Sequence, residues 1–451
     1  MERRRIEDLY KQFPDVHPNI VLKTEILRLG LDIGDRAIEN FRRRDDLLWK
    51  GFHLFSYDWH KTKVYGNKIP WFAHLEDGCF FMVRTNETSP YVLELEEGGF
   101  IIQEKETREV IAKNIWFERK PRWYDMRTKD GVQMGAICQG QARMLFVTIN
   151  KHCELWNKDD QCLFCNINAT MKDQKAGGED VVAKIRPEEV AETVKTALEV
   201  DNHYSVLYIS GGTILGKYQG QTELEFYITR INALREKLQV LIPTTVQIAP
   251  YDDEGWKRLH DTGVGAIQPN MEVWDERLFK WICPGKDKHI GYDEWIRRTI
   301  RAVDFWGPGR VHPNFVLGVE MAKPHGFDDV SSALKSTLGG WDFLMSHGVL
   351  PRYNLWTQEA GSAFENHPAP PLEFFVEAQK GYAELRWKHR FDPPFPSTMY
   401  NNCYSLNSLQ DFEYYHGNGT TSKKNLDTYL GVDAGEPGGY YDQEGYTLSR
   451  R

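Results

Sequence analysis

The stretch ARMLFVTINKHCELWNKDDQCLFCNIN, residues 142–168, joins an apolar run to three closely spaced cysteines. Residues 142–150 read as a strand, apolar on the consecutive positions 144–147, as expected in a parallel sheet covered on both faces. Cys153, Cys162 and Cys165 follow with the spacing C-x8-C-x2-C. They therefore fall in the loop that leaves the C-terminal end of that strand, the face on which parallel barrels build active sites.

Working outward, five further runs read as strands: 204–212, 242–250, 265–273, 313–321 and 350–358. Helix patterns follow at 187–198, 222–238, 252–262, 291–306, 328–347 and 371–390. Pro187 suits a first helical position, and Val190, Val194, Ala197 and Leu198 form one apolar stripe behind it. Six β-α units predict an α/β fold, a partial parallel (β/α)6 barrel, with a flat doubly wound sheet as the alternative. Residues 17–46 read as helical. WFAHLEDGCFFMVRT, YVLELEEGGFIIQE and NIWFERKPRWYDMRT carry the alternation and turn signals of an antiparallel meander. The expected organisation is an N-terminal α+β module over 1–135, the barrel over 136–392 and a loop-rich arm over 393–451.

Composition bounds the function. The 451 residues are 41% hydrophobic and 27% charged, and a net charge of −9 spread in mixed-sign patches gives no footprint for nucleic acid. No apolar run approaches a membrane span, and MERRRIEDLYKQF lacks the apolar segment of a secretory signal, so a cytoplasmic protein is expected. Cys79, Cys138, Cys283 and Cys403 lie far apart, and an odd total of seven cysteines fits a disulfide framework poorly.

Three clustered thiols admit several readings. A structural zinc site is normally closed by four ligands, and His152, adjacent to Cys153, is awkwardly placed to share one tetrahedral ion. Three free or redox thiols are another reading. A cubane iron–sulfur cluster held by three cysteines leaves one iron open to a small molecule, which implies chemistry and not simple electron carriage.

Here the chain resembles the radical S-adenosylmethionine (radical SAM) superfamily and particularly its biotin-synthase-related branch. The superfamily pattern C-x3-C-x-aromatic-C is kept in its second half as Cys162, Leu163, Phe164 and Cys165, whereas the first gap has eight residues instead of three. The resemblance covers roughly residues 140–390. It implies a [4Fe-4S] cluster on Cys153, Cys162 and Cys165, with S-adenosylmethionine (SAM) bound at its open iron. SGGT (210–213) is similar to the glycine-rich motif that receives the methionyl amino group, which implies roles for Gly211, Gly212 and Thr213. In QPNMEVWDERLF, Glu272 and then Asn270 are the candidates for ribose and carboxylate. FVLGVEM is similar to the adenine-packing stretch, which implies that Gly318 leaves room for the ring and Glu320 orients nearby groups. Phe164 is expected to border the adenine. The implied activity is reductive SAM cleavage to a 5′-deoxyadenosyl radical that takes hydrogen from a small or medium metabolite, the electron coming from ferredoxin or flavodoxin. The competing reading is an electron-transfer or zinc-stabilised binding protein without turnover. Cys283, in KWICPGKDKH, is a candidate hydrogen donor or auxiliary ligand, with a buried structural thiol as the alternative.

Overall fold

The computed structural model describes residues 5–48, 69–76, 79–141, 144–176, 181–201, 204 and 206–391. The stretch 393–451, expected to be an arm, and Cys403 within it lie outside the described residues.

The N-terminal part pairs helices Ile6–Gln12, Pro18–Leu29 and Asp35–Arg42 with six strands: β1 (Asp32–Ile33), β2 (Phe72–His74), β3 (Phe80–Met82), β4 (Tyr91–Glu96), β5 (Gly99–Glu104) and β6 (Val110–Phe117). They form one sheet in the order β1-β4-β5-β6-β2-β3, antiparallel except where β1 runs parallel to β4. The helical run expected over 17–46 is broken at Gly30. Its φ of 77° ends the helix, and a Cβ there would meet Asn86 Cβ at 2.8 Å and the Arg84 carbonyl at 2.9 Å, so the sheet edge packs directly against glycine backbone.

The second sheet holds β7 (Gln139–Gln141), β8 (Met144–Asn150), β9 (Val206–Gly211), β10 (Thr244–Gln247) and β11 (Ala266–Gln268) in the order β11-β10-β9-β8-β7. β12 (Asn314–Leu317) and β13 (Arg352–Leu355) pair in parallel, and parallel bridges Ile267–Val311 and Glu272–Phe315 join them to β11. Strands β8 to β13 are thus parallel and adjacent in chain order, which gives a curled half-barrel. A doubly wound sheet would reverse its strand order at a switch point, and this one does not. The sequence patterning did not mark β7, a short antiparallel edge strand beside β8.

Helices Pro187–Val200, Glu223–Leu238, Asp253–His260, Tyr292–Arg301, Val330–Ser346 and Leu372–Lys388 follow the parallel strands at the expected places. Their starts are chemically marked. Thr222 and Glu225 form a reciprocal capping box, and the Asp252 and Asp329 side chains accept from Gly255 N and Ser332 N. One contiguous hydrophobic core runs from the N-terminal helices through the barrel. The two parts are also tied by Arg122 to Asp201 at 2.7 Å and by Gln379 Nε2 donating to Thr24 Oγ1 at 3.1 Å. Among the described residues no helix is long and apolar enough to cross a membrane.

Candidate active site

β8 ends at Asn150, which anchors the loop that follows. Its side-chain amide donates to the Gly212 carbonyl at 2.7 Å, and Gly212 N donates to the Asn150 carbonyl at 2.8 Å. Cys153 is held from both sides of its backbone by one residue: its N–H donates to Asn168 Oδ1 at 2.8 Å, and Asn168 Nδ2 donates to its carbonyl at 3.0 Å. A single turn of 3-10 helix, Glu154–Lys158, takes up part of the long first gap. Glu154 N then donates to the Thr213 carbonyl at 2.9 Å, Leu163 N to the Ile282 carbonyl at 2.9 Å, and Cys165 N to the Cys162 carbonyl at 3.0 Å. The loop is therefore fixed to the ends of β8 and β9 and to the helix Glu276–Ile282.

All three cysteines line one cavity of about 330 Å³ inside the half-barrel. Phe164, Gly211, Gly212, Thr213, Asn270 and Glu272 lie on the same wall, so these residues, widely separated in sequence, come together at the C-terminal ends of β8, β9 and β11. Gly211 and Gly212 were expected to admit a ligand. The closest neighbours of a Cβ at Gly212 would instead be the His152 carbonyl at 2.7 Å and the Cys153 backbone at 2.8 Å, so what Gly212 admits is the cysteine loop itself.

Three candidates stand elsewhere. β12 stops at Leu317, and a 3-10 turn, Val319–Met321, carries Glu320 away from the cavity. Glu320 is wholly buried and accepts from Gly318 N at 2.6 Å and Thr337 Oγ1 at 2.9 Å, which makes it a cap on its own turn and a tie to the helix Val330–Ser346. Gly318, with φ of 114°, is where the chain leaves the strand, and a Cβ there would press on Phe375 and Pro370. Gly318 and Glu320, expected beside adenine, thus make these packing and hydrogen-bond contacts within the fold. Cys283 is fully buried and off the cavity wall, behind Cys162.

Electrostatics separate the three thiols. Burial raises the Cys153 and Cys165 thiols above the ordinary range. Cys162 goes the other way, lowered first by a hydrogen bond from the Cys283 thiol and further by the Lys286 ammonium, which together outweigh its burial. Lys286 donates to Glu272 Oε1 at 2.5 Å and to the Asn270 carbonyl at 2.7 Å, and lies 4.8 Å from the centre of the Trp295 ring. Glu272 itself has φ of 71°, a conformation costly for a side chain with a Cβ and held by its N–H to the Asn314 carbonyl at 2.9 Å.

The donor set fits an iron–sulfur cluster better than a single ion. Among the described residues no three His, Cys, Asp or Glu side chains converge closely enough for one metal ion. A cubane divides its protein thiolates among different irons, so its ligands need to share a wall and not a point. Among the described residues this cavity is lined by three thiols and no fourth.

Sequence reasoning missed Lys286, Tyr208, Gln247, Gln268, Arg352 and Asn354, all on the cavity wall. Lys286 had a signal, three residues beyond Cys283 and so one helical turn away. The others are strand residues whose inward direction depends on a register that short apolar runs leave open.

No protein-family model matches the chain. It is 28% identical, over 291 residues, to the bacteriochlorophyllide c C-7(1)-hydroxylase of Chlorobaculum limnaeum, a match spanning 60% of this chain and 67% of that protein. Among solved structures it resembles the FeFe-hydrogenase maturase HydG of Carboxydothermus hydrogenoformans, with a TM-score of 0.39 and 15% identity over 55% of this chain and 52% of that one. It also resembles coproporphyrinogen III oxidase (HemN) of Escherichia coli, described as a radical SAM enzyme, with a TM-score of 0.34 and 12% identity over 58% of each chain. The chain thus spans little more than half the length of these two solved structures. The chain is a curled half-barrel with three cysteines after its first parallel strand.

Proposed function

We propose that the protein is a radical SAM enzyme that holds a [4Fe-4S] cluster on Cys153, Cys162 and Cys165 and acts on a small or medium metabolite inside the half-barrel. The observation that carries this reading is the convergence of those cysteines with Gly211, Gly212, Thr213, Asn270 and Glu272 on one cavity wall. When bound, the cluster and SAM supply a 5′-deoxyadenosyl radical able to take hydrogen from an unactivated carbon. The chain's own residues do the rest. Asn168 and Gly212 position the cysteine loop. Glu272, held by Lys286, presents acceptors toward the ribose, and the Thr213 region receives the amino group. Leu27 and Met82 of the N-terminal module close one side of the cavity with apolar surface, which excludes water from a reactive species.

In this reading residues 1–135 serve as a cap, 136–392 as the catalytic half-barrel, and ferredoxin or flavodoxin supplies the electron in the cytoplasm. The WDERLFKWICPGK segment supports placement in the biotin-synthase-related branch. Sulfur insertion is disfavoured, because β10, β11 and β12 carry no cysteine to hold a sacrificial auxiliary cluster. The similar Chlorobaculum limnaeum protein is named for hydroxylation of a bacteriochlorophyllide, so hydroxylation joins rearrangement, C–C bond formation, methylation and dehydrogenation as possible outcomes.

Anaerobic reconstitution tests the proposal. Iron and sulfide of about four each per chain, and release of 5′-deoxyadenosine from SAM under strong reductant, are expected. Substituting any of the three cysteines by Ala is expected to abolish both. Stoichiometric zinc with no iron uptake would replace this reading with the zinc-stabilised binding protein.

A further inference from the structure

Two neighbouring strands of the half-barrel each end on a glutamine. Gln247 closes β10 and Gln268 closes β11, the parallel register sets them opposite each other, and both line the cavity. Neighbouring strands lie roughly 4.8 Å apart, so the two amides are within reach of one small group. They stand at the end of the sheet from which the cysteine loop leaves β8.

One of the two amides is held by a neighbour. The Tyr208 hydroxyl donates to Gln268 Oε1, and the Tyr208 ring is stacked on Phe146 with centroids 5.3 Å apart. With its oxygen engaged, Gln268 has the N–H groups of its amide left to offer. The Gln247 side chain has no hydrogen-bond partner among the described residues, so it presents both an acceptor and donors.

The charged side chains of this wall are committed. Glu272 holds Lys286, Glu223 accepts from Tyr251 Oη at 2.8 Å and Ile214 N at 3.1 Å, and Glu359 accepts from Thr357 Oγ1. Arg352 and Glu359 each make a further interaction of their own. Three carboxylates thus stand against two cations on the lining, a balance that gives an anion no net attraction. Much of the remaining surface is apolar, with Leu27, Met82, Met144, Ile248 and Val316. Unengaged amides in such a surface are what orients a ligand.

We infer that Gln247 and Gln268 receive the carbonyl and N–H edge of a neutral, otherwise largely apolar substrate, an amide, lactam or imide. Gln268 donates to the carbonyl oxygen, and Gln247 accepts from the adjacent N–H. Neutral amides do not offset the desolvation of a full charge, which places acids and amines at a disadvantage. Resting on the radical SAM reading, this makes the pair specificity residues: the anchored edge determines which carbon of the substrate lies toward the cysteines. Tyr208 is a positioning residue, because it holds the Gln268 amide one way round.

The test uses the anaerobically reconstituted full chain with N-phenyl-1-naphthylamine, a neutral apolar fluorophore, as reporter. Decanamide, N,N-dimethyldecanamide, decanoate and decylamine compete for the cavity. Decanamide is expected to displace the reporter at about fivefold lower concentration than its dimethyl analogue, the size of one hydrogen bond between neutral groups, and at about tenfold lower concentration than either ion. Gln247→Leu should remove the preference over the dimethyl analogue. Gln268→Met should weaken both amides alike, and Tyr208→Phe should do so in part. Should either of those two fail to fold by near-ultraviolet circular dichroism, Gln247→Leu decides, since it strands no partner. A wild-type protein that treats the two amides alike, prefers decanoate or decylamine, or takes up none of the four would overturn the assignment, as would a Gln247→Leu variant that keeps the full preference. Iron content and SAM cleavage, measured on the same wild-type sample, report separately on the radical SAM reading.

Discussion

Lys286 Nζ lies 2.5 Å from Glu272 Oε1, a contact by which the helix Pro284–His289 secures the loop that follows β11. Both side chains are largely buried, with 13% and 8% of their surface exposed. Burial works against the ammonium, yet Lys286 stays above its ordinary range because the Glu272 carboxylate and the nearby thiols outweigh it. Removing one partner strands the other charge in a site it cannot leave, since Glu272 is fixed in a left-handed backbone conformation. Lys286→Met is therefore expected to destabilise the fold by about 3 kcal/mol, read by urea or thermal unfolding. The double variant Lys286→Met with Glu272→Gln is expected to recover most of that loss. Equal loss in the single and double variants would mean that the lysine stem, and not the pair, matters.

Much of this architecture was legible beforehand, and the reason is physical. Strands buried on both faces are written as unbroken apolar runs, and helix starts carry caps such as Thr222 with Glu225. Spacing alone brought Cys153, Cys162 and Cys165 together, because the x2 gap fixes two of them in one turn. Glu320 was not legible. In sequence it follows an apolar strand like a site carboxylate, and only the backbone turn at Gly318 reveals that it faces the neighbouring helix. Arg352 was hidden for the opposite reason: LPRYNLWTQ reads as a strand, but nothing local says which of its faces meets the cavity.

Glu320 should leave a signature in the pH dependence of stability. Burial raises its carboxyl to about 7, against the hydrogen bonds from Gly318 N and Thr337 Oγ1 that favour the anion. The folded state then binds a proton that the unfolded chain has released at its ordinary glutamate value. Stability is therefore expected to fall as pH rises from about 4.5 to 7, by about 3 kcal/mol in all. Glu320→Gln should flatten that segment of the curve, measured by urea unfolding across pH 4.5–7.5. An unchanged slope would assign the pH dependence to other groups.

Cys283 is expected to tune the cluster and not to react with substrate. Its thiol donates to Cys162 from behind the wall. A hydrogen bond to a ligating sulfur stabilises the more negative, reduced state of a cluster. Cys283→Ala should lower the reduction potential by roughly 20–60 mV, the equivalent of a hydrogen bond worth about 0.5–1.5 kcal/mol in a one-electron couple. Iron content should remain near wild type. Electron paramagnetic resonance during a redox titration reads the shift. An unmoved potential with lost product formation would return Cys283 to the role of hydrogen donor.

Gly212 offers the sharpest test of how the loop is built. Its N–H and carbonyl both bond to Asn150, so its backbone cannot slide, and a Cβ would fall 2.7 Å from the His152 carbonyl and 2.8 Å from Cys153 Cα. Those obstacles are backbone, with no flexible side-chain end to yield. Something must move, and the loop carrying Cys153 is less constrained than the paired ends of β8 and β9. Gly212→Ala is thus expected to cost about 1–3 kcal/mol of stability and, more tellingly, to lower iron retention after reconstitution by displacing one thiol from the other two. Gly216→Ala is the matched control, because nothing lies within 4 Å of a Cβ there. Full iron retention in Gly212→Ala would show that the cysteine loop adapts, and that Cys153 is not held where the hydrogen bonds from Asn168 place it.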